Sequence, residues 1–506
     1  MSETHRALVF VVLISLAAWA LMGRLRTEQL PGAFSLRRGL WFAFTIAAFG
    51  LADFWLFSVV ALMLLVWART RDPNAPALFL SLLLVVPAVA LDIPGFGIMN
   101  FLFSLSFQRL LSLLLLLPLF FWLVRRPRRP SGFFPRLADV LFFAYLGVQV
   151  LLLAREPSIT SAFRSAFYLV VDLLLPYYVF SRAFSELSKI RDAMVALVTG
   201  GVVIAAVGVF EVARYWLPYA ALTQAWGSPE QLLYLDRSGL LRALASAGHA
   251  IVLGYVLAIC FLLYLPLRTR LAEGWQRNAL LLVLAAGLFA ALSRGPWIGA
   301  AAGVLAYVAL GPAPVKSLVK LGVGSAVAFT ALAMLPFGQF VVDLLPFVGT
   351  VETGNIDYRE QLMENAWTVI WLNPVFGSLD YTDRLAAMGM VQGQGIVDIV
   401  NTYVQVALET GLTGLVLFAG VHAAALLSVV QAQRLARRTG HVEAQSLGRG
   451  LAAAQLAVMV IIVTVSSIFV IPWLYWCMSG LVVGYARVVH AEVRDARTAP
   501  VGATFA

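Results

Sequence analysis

Three arginines stand where chemistry is a better explanation than packing. Arg242 precedes the run Gly248-His249-Ala250-Ile251-Val252-Leu253-Gly254, Arg294 lies in the tight turn Ser293-Arg294-Gly295-Pro296-Trp297 between two apolar runs, and Arg359 sits in a hydrophilic stretch. A guanidinium keeps its charge and grips phosphate oxygens in a planar fork that lysine cannot reproduce. Three of them gathered on one side of a protein suit an anionic ligand. The competing reading is that each snorkels to lipid headgroups. That reading is weakest for Arg294, because a turn a few residues long has little reason to keep a charge. His249, soon after Arg242, is a candidate base or ligand contact, and its plain alternative is a packed or capping histidine. No His, Asp and Glu cluster shows metal-ligand spacing, so neither a metal nor a cofactor is expected.

The elements that must hold these side chains are apolar. Soluble domains carry roughly 25% charged residues; here the charged fraction is 12%, the hydrophobic fraction 61% and the mean hydropathy +0.88. A membrane span takes about 20 mainly apolar residues, and the 506-residue chain supplies such runs repeatedly. The alternating pattern of a membrane β-barrel is absent. A net charge of +10 invites a nucleic-acid reading, but the basic residues sit in short clusters between apolar runs. Cytoplasmic loops attract Lys and Arg, so membrane topology accounts for the sign and no nucleic-acid partner is expected. Cys260 and Cys477 lie in apolar runs and read as small buried hydrophobes.

Spans are expected at 76–91, 107–124, 137–154, 161–180, 192–213, 247–265, 278–291, 296–311, 317–336, 400–431, 448–469 and 472–488. The run Ala7 to Met22 is expected as an uncleaved first span. Arg37 and Arg38 before 40–68, and Arg69 and Arg71 after it, favour two short helices folding back at Asp53 over one long helix. The fold class is therefore all-α, a polytopic membrane bundle of about 14 spans forming a single membrane domain over 1–506. Arg125-Arg126-Pro127-Arg128-Arg129, Arg268/Arg270/Arg277, Lys316/Lys320 and Arg434/Arg437/Arg438 all fall on one side, which makes it cytoplasmic. Loops 214–246 and 337–398 then face the other side, as do the three arginines.

Loop 337–398 is the one sizeable hydrophilic segment, with eight acids against Arg359 and Arg384. Asp357 and Glu360 have the spacing of a capping box and predict a short amphipathic helix starting there. Asn373-Pro374 ends it. Its aromatics Tyr358, Trp367, Trp371 and Tyr381 could stack on sugars or simply pack the loop onto the bundle. Asp53, Asp172 and Glu211 interrupt apolar runs; they pair with arginines inside the bundle or mark a proton path, which keeps a transporter in view.

Several motifs occur in a telling order: Ser293-Arg294-Gly295-Pro296-Trp297, Arg359 with Trp367, Asn373-Pro374-Val375-Phe376-Gly377, and Asn401-Thr402-Tyr403-Val404-Gln405-Val406-Ala407-Leu408-Glu409-Thr410-Gly411-Leu412-Thr413-Gly414-Leu415. Over roughly 235–420 the chain resembles the O-antigen ligase and Wzy-type polysaccharide polymerase superfamily. The resemblance implies a GT-C-like bundle and a metal-independent glycosyltransferase at the periplasmic face of a bacterial inner membrane. It further implies an undecaprenyl-diphosphate-linked glycan as donor, a saccharide as acceptor, and membrane lipids around both. A polymerase extends another lipid-linked repeat into an exopolysaccharide or O-antigen, with chain-length regulator and export proteins as partners; a ligase transfers to lipid A core. The family's essential arginines carry over onto Arg242 and Arg294, and Arg359 matches an arginine of its large periplasmic loop. Ligases place a histidine directly before the Asn or Ser that opens the tyrosine-containing motif; Val400 stands there, with Asp398 two residues earlier. That pattern resembles the exopolysaccharide polymerase branch and makes Asp398 the first candidate for a base. His249, Tyr358, Trp371 and Tyr403 are the candidate substrate contacts. A lipid-linked-saccharide flippase is the non-enzymatic alternative; it would favour inverted repeats, and the two halves show none.

Overall fold

The computed structural model describes residues 2–498 apart from 24–32, 96, 98–99, 127–131, 229–231, 269–273, 336–337, 339–341, 343–352 and 393–394. Arg128, Arg129, Arg270, Asp343 and Glu352, which entered the charge pattern above, lie outside the described residues. The chain is an all-α bundle. Its first helices are α1 Glu3–Gly23, α2 Phe34–Leu51, α3 Phe54–Arg69 and α4 Ala75–Leu82. The strand pair β1 Ala90–Pro94 and β2 Phe101–Ser106 follows, and then α5 Phe107–Val124, α6 Phe133–Arg155, α7 Ile159–Arg182 and α8 Leu187–Arg214. After α9 Pro218–Ala225 comes a small hairpin, β3 Asp236–Arg237 with β4 Leu240–Leu241. The remaining helices are α10 Ala250–Arg268, α11 Trp275–Ala290, α12 Arg294–Ala309, α13 Pro314–Ala333, α14 Thr353–Leu372, α15 Tyr381–Ala387, α16 Thr402–Arg438, α17 Val442–Ile461 and α18 Ile471–Thr498. Among the described residues nine helices are long and apolar enough to cross a membrane, with α3 and α11 as shorter apolar companions.

Two expectations about these elements resolve in opposite directions. The stretch 40–68 folds back as anticipated: Ala52 is left-handed (φ 51°), and the Asp53 carboxylate accepts the Leu56 N–H at 2.7 Å to start α3. The expected span at 76–91 does not form. Its helix stops at Leu82, and the chain leaves as a strand at Ala90. Pro87 and Pro94 explain this, since the residue before a proline is pushed out of the helical region and proline itself donates no hydrogen bond. What remains of α4 is buried on every side from Pro76 to Leu82.

The core lies where α10, α12, α16, α17 and α18 meet. Without water to drive association in a bilayer, helices pack through small residues that let backbones approach. A Cβ added at Gly299 would come 2.2 Å from Ile461, and one at Gly303 would come 2.3 Å from Leu262. At one end of the bundle α8 and α11 finish, α10, α12, α16 and α18 begin, and the segment carrying α14 and α15 packs on the start of α16; we call this the loop end. The opposite end is clasped by buried ion pairs. Arg37 bridges Asp72 at 2.7 Å and Asp192 at 2.6 Å, while Arg182 and Arg487 share Asp139.

Candidate functional site

The segments that carry Arg242 and Arg294 are joined by hydrogen bonds to backbone carbonyls. Arg242 leaves the β3–β4 hairpin with its N–H on Leu235 O at 2.8 Å; the next residue, Ala243, donates to Ala290 O at 3.0 Å. Within the hairpin, Arg237 Nη1 donates to Leu292 O at 2.6 Å. The strand carrying Arg242 is thus fastened to the turn that carries Arg294. A third tie comes from below, where the buried Glu211 Oε2 accepts the N–H groups of Leu244 and Ala245 at 2.8 Å each. Arg294 opens α12, so its guanidinium adds to the positive end of a helix dipole. The turn is held rigid because Trp297 stacks on Phe289 with ring centroids 5.2 Å apart and donates to Leu288 O at 2.8 Å. Gly254 lets α10 reach this turn, since a Cβ there would stand 2.9 Å from Pro296.

His249 caps α10: its Nδ1 accepts the Ile251 N–H at 3.2 Å. Burial, helped by the nearby Arg242 guanidinium, pushes its pKa down to about 4. The imidazole is therefore neutral near pH 7, as an accepting cap requires.

The remaining pieces meet on the segment 462–470 between α17 and α18. Thr464 packs against Gly295, whose added Cβ would fall 2.1 Å from the threonine hydroxyl, and Phe469 packs against Gly248, whose added Cβ would stand 3.3 Å from the ring. Ser466 Oγ donates to Asp398 Oδ1 at 2.7 Å. Thr402 donates to Ile462 O through its N–H at 2.9 Å and to Val465 O through its hydroxyl at 2.8 Å. Asn401 caps α16 by accepting the Tyr403 and Val404 N–H groups at 3.0 and 3.2 Å. The Arg242–His249 strand, the Arg294 turn and Asp398 consequently share one scaffold.

Arg359 enters from α14. It lines a cleft with Leu362, Met363, Ile399, Val404 and Val463. These apolar surroundings lower its pKa, and the attraction of Asp398 opposes that shift. The helix begins at Thr353, so Asp357 lies inside its first turns and is not its cap, contrary to the capping-box reading, and α14 is 20 residues long rather than short. Its end at Leu372, before Asn373-Pro374, is as expected. Tyr358 is committed to the loop itself: its hydroxyl donates to Met390 O and Asp398 O at 3.2 Å, and burial raises its pKa. Tyr403 donates to Met459 O at 3.3 Å and packs edge-on to Phe418. Trp371 is exposed and meets Trp367 edge-to-face at 5.7 Å.

The last two motifs interlock. Leu412 N–H donates to Pro374 O at 2.7 Å and Ser378 N–H to Leu408 O at 2.8 Å. Gly377 (φ 68°) and Gly411 (φ 71°) make that approach possible, because a Cβ on either would sit 2.4 Å from the other strand's carbonyl. Gly411 also breaks α16. Arg155, from the end of α6, donates to the carbonyls of Phe376, Gly377 and Glu409 at 2.9 Å each. Glu409 accepts from Tyr381 and Gln405 at 3.0 and 2.9 Å.

Sequence reasoning did not single out Arg155, Thr464 or Ser466, and it read Glu211 only as a charge in an apolar run. Each acts through a tertiary contact that no local pattern signals. Of the three acids that interrupt spans, Asp172 pairs with Arg109 at 2.8 Å, whereas Asp53 and Glu211 hold backbone N–H groups. Among the described residues no three His, Cys, Asp or Glu side chains gather as a metal site.

Comparison with curated proteins finds no match. A family model described as O-antigen ligase matches residues 279–419. The matched stretch contains Arg294, Arg359, Asp398, Asn401 and Tyr403, together with the interlocked glycines; Arg242 and His249 lie outside it and join it through the backbone bonds above. The chain is an all-α polytopic membrane protein, similar over residues 279–419 to the family described as O-antigen ligase.

Proposed function

We propose that this protein is a glycosyltransferase that polymerises undecaprenyl-diphosphate-linked repeat units at the periplasmic face of the bacterial inner membrane. The whole chain would act as one membrane domain roofed by 337–398. The observation that carries this reading is the fastening of the Arg242 strand to the Arg294 turn, with Asp398 and the Arg359 cleft on the same 462–470 scaffold. In the reaction an acceptor hydroxyl oxygen bonds to the anomeric carbon of the donor glycan. The bond from that carbon to the diphosphate breaks, and the diphosphate keeps the electron pair. Arg242 and Arg294 take the growing phosphate charge, and Arg359 takes diphosphate or donor sugar. Fixed cations in a water-poor site stabilise such charge without reorganising. The hydroxyl proton passes to Asp398, the general base, which Ser466 orients. His249 is a cap on this scheme and leaves the base role to Asp398. No metal is required, because the arginines supply the positive charge.

Transfer to lipid A core is the second reading, supported by the description of the matched family as ligases. Val400, where ligases place a histidine, argues for the polymerase. Both are tested in a deletion strain complemented with wild type, Arg294→Lys or Arg294→Ala, with membrane expression checked by blot. A polymerase gives inserted variants that make no polymer and accumulate single lipid-linked repeats. A ligase gives bare lipid A core with full-length glycan still on the carrier lipid. Full-length, correctly attached glycan from Arg294→Ala refutes the arginine site.

A further inference from the structure

Helix α14 presents three kinds of surface. Leu362, Ala366, Val369 and Ile370, at the spacing of one helical face, are buried in a cluster with Leu385, Met390, Ile399, Ala407 and Leu408. Gln361, Glu364 and Thr368 are exposed and polar. Met363, Trp367 and Trp371, spaced by four, form an exposed apolar stripe, with the two tryptophans 51% and 56% accessible. Past the end of the helix Leu372, Val375, Phe376 and Leu379 extend the stripe, all about half exposed. Water would penalise so large a contiguous apolar patch.

Charge is distributed unevenly along the same helix. Asp357, Arg359, Glu360 and Glu364 all fall in its first part, and from Asn365 to Leu379 there is no charged residue. The charge-free part is anchored to the end of a candidate span. Arg155, at the end of span α6, holds the carbonyls of Phe376 and Gly377 at 2.9 Å. Close to Arg155 in the chain, the ends of α6 and α7 likewise expose Leu151, Ile159 and Phe163. Tryptophan concentrates at membrane–water interfaces, where an apolar ring with a polar N–H fits best.

We infer that α14 from Trp367 onward and the turn 372–379 seat in the bilayer at its water boundary on the loop side, with the charged stretch up to Glu364 in water. The loop is thus a membrane-seated cover rather than a free aqueous lid. Met363 belongs both to the exposed apolar stripe and to the Arg359 cleft, so that cleft opens at the lipid boundary. A substrate whose apolar tail remains in the membrane reaches Arg359 there. The placement itself does not depend on the proposed reaction.

Single cysteines test this in vesicles of phosphatidylethanolamine and phosphatidylglycerol. The native Cys260 and Cys477 are both buried, so an introduced surface cysteine takes the label. Trp367→Cys, Trp371→Cys and Phe376→Cys are labelled with bimane, beside Gln361→Cys and Glu364→Cys. Expected at the first three are blue-shifted emission, loss of quenching by aqueous iodide and gain of quenching by spin-labelled lipid; the last two behave oppositely. Equal iodide quenching at Trp371→Cys, Phe376→Cys and Gln361→Cys overturns the inference. A variant that fails to insert is replaced by its neighbours, since any two sites on the stripe decide the outcome.

Discussion

His249 offers a test of the site geometry that needs no substrate. Its pKa falls from the ordinary 6.5 to about 4, through burial and the adjacent Arg242. The unfolded chain therefore takes up a proton first as pH drops below about 6.5. Folding stability is intact above that pH, falls as the pH approaches about 4, and loses nothing more from this residue below it. At about 1.4 kcal/mol per pH unit, the gap is worth about 3 kcal/mol, and partial exposure of the ring trims that to about 2 kcal/mol. Other groups titrate in the same window, so the quantity to measure is a difference between wild type and His249→Gln. The glutamine carbonyl can still accept the Ile251 N–H but takes no proton. Unfolding by sodium dodecyl sulfate in mixed micelles at about pH 7.5 and 4.5 should cost wild type about 2 kcal/mol more than the variant. Arg242→Gln, by removing the neighbouring cation, should raise the histidine pKa and shrink that difference. Identical acid losses in wild type and His249→Gln would refute the buried neutral cap. A difference untouched by Arg242→Gln would refute the Arg242–His249 proximity on which the arginine site partly rests.

Two further outcomes are expected. Gly295→Ala drives a methyl group to 2.1 Å from the Thr464 hydroxyl, so it should cost about 1–3 kcal/mol and displace Arg294. The double variant Gly295→Ala/Thr464→Ala should recover most stability and glycan output, and failure to recover would show that the packing there is not what positions the turn. Asp398→Asn keeps an acceptor for Ser466 but not a base, and should slow transfer about 10²- to 10⁴-fold in an assay with purified lipid-linked repeats while donor binding persists; undiminished turnover would move the base elsewhere.

Much of the architecture was legible because a bilayer restricts the choices. With no water in the hydrocarbon, every backbone polar group must be bonded internally, so long apolar runs become helices whatever surrounds them. That is why α5, α6, α7, α8, α10, α13, α16 and α17 fall near their expected places. The fold-back at Asp53 could be read from the arginines that flank 40–68 at both ends. The failure at 76–91 has a local cause that was present in the sequence, prolines inside a hydrophobic run, but hydrophobicity outweighed them in the reading. The loop helix was misplaced at its start for a related reason. Asp357 and Glu360 have capping-box spacing, yet the helix continues N-terminally to Thr353.

For the site, residue type alone determined what could bind: arginines in short turns between spans suit anions. What only the tertiary structure decided is adjacency. Arg242 and Arg294 lie 52 residues apart in the numbering, and two contacts to the carbonyls of Ala290 and Leu292 join their segments. Asp398 meets Ser466, and Gly295 meets Thr464, only because α16 begins where α17 ends. Such contacts leave no periodicity or spacing to read. A hydrogen bond between distant segments depends on how whole helices pack, and that packing is settled by the shape of every residue between them rather than by the pair that finally meets.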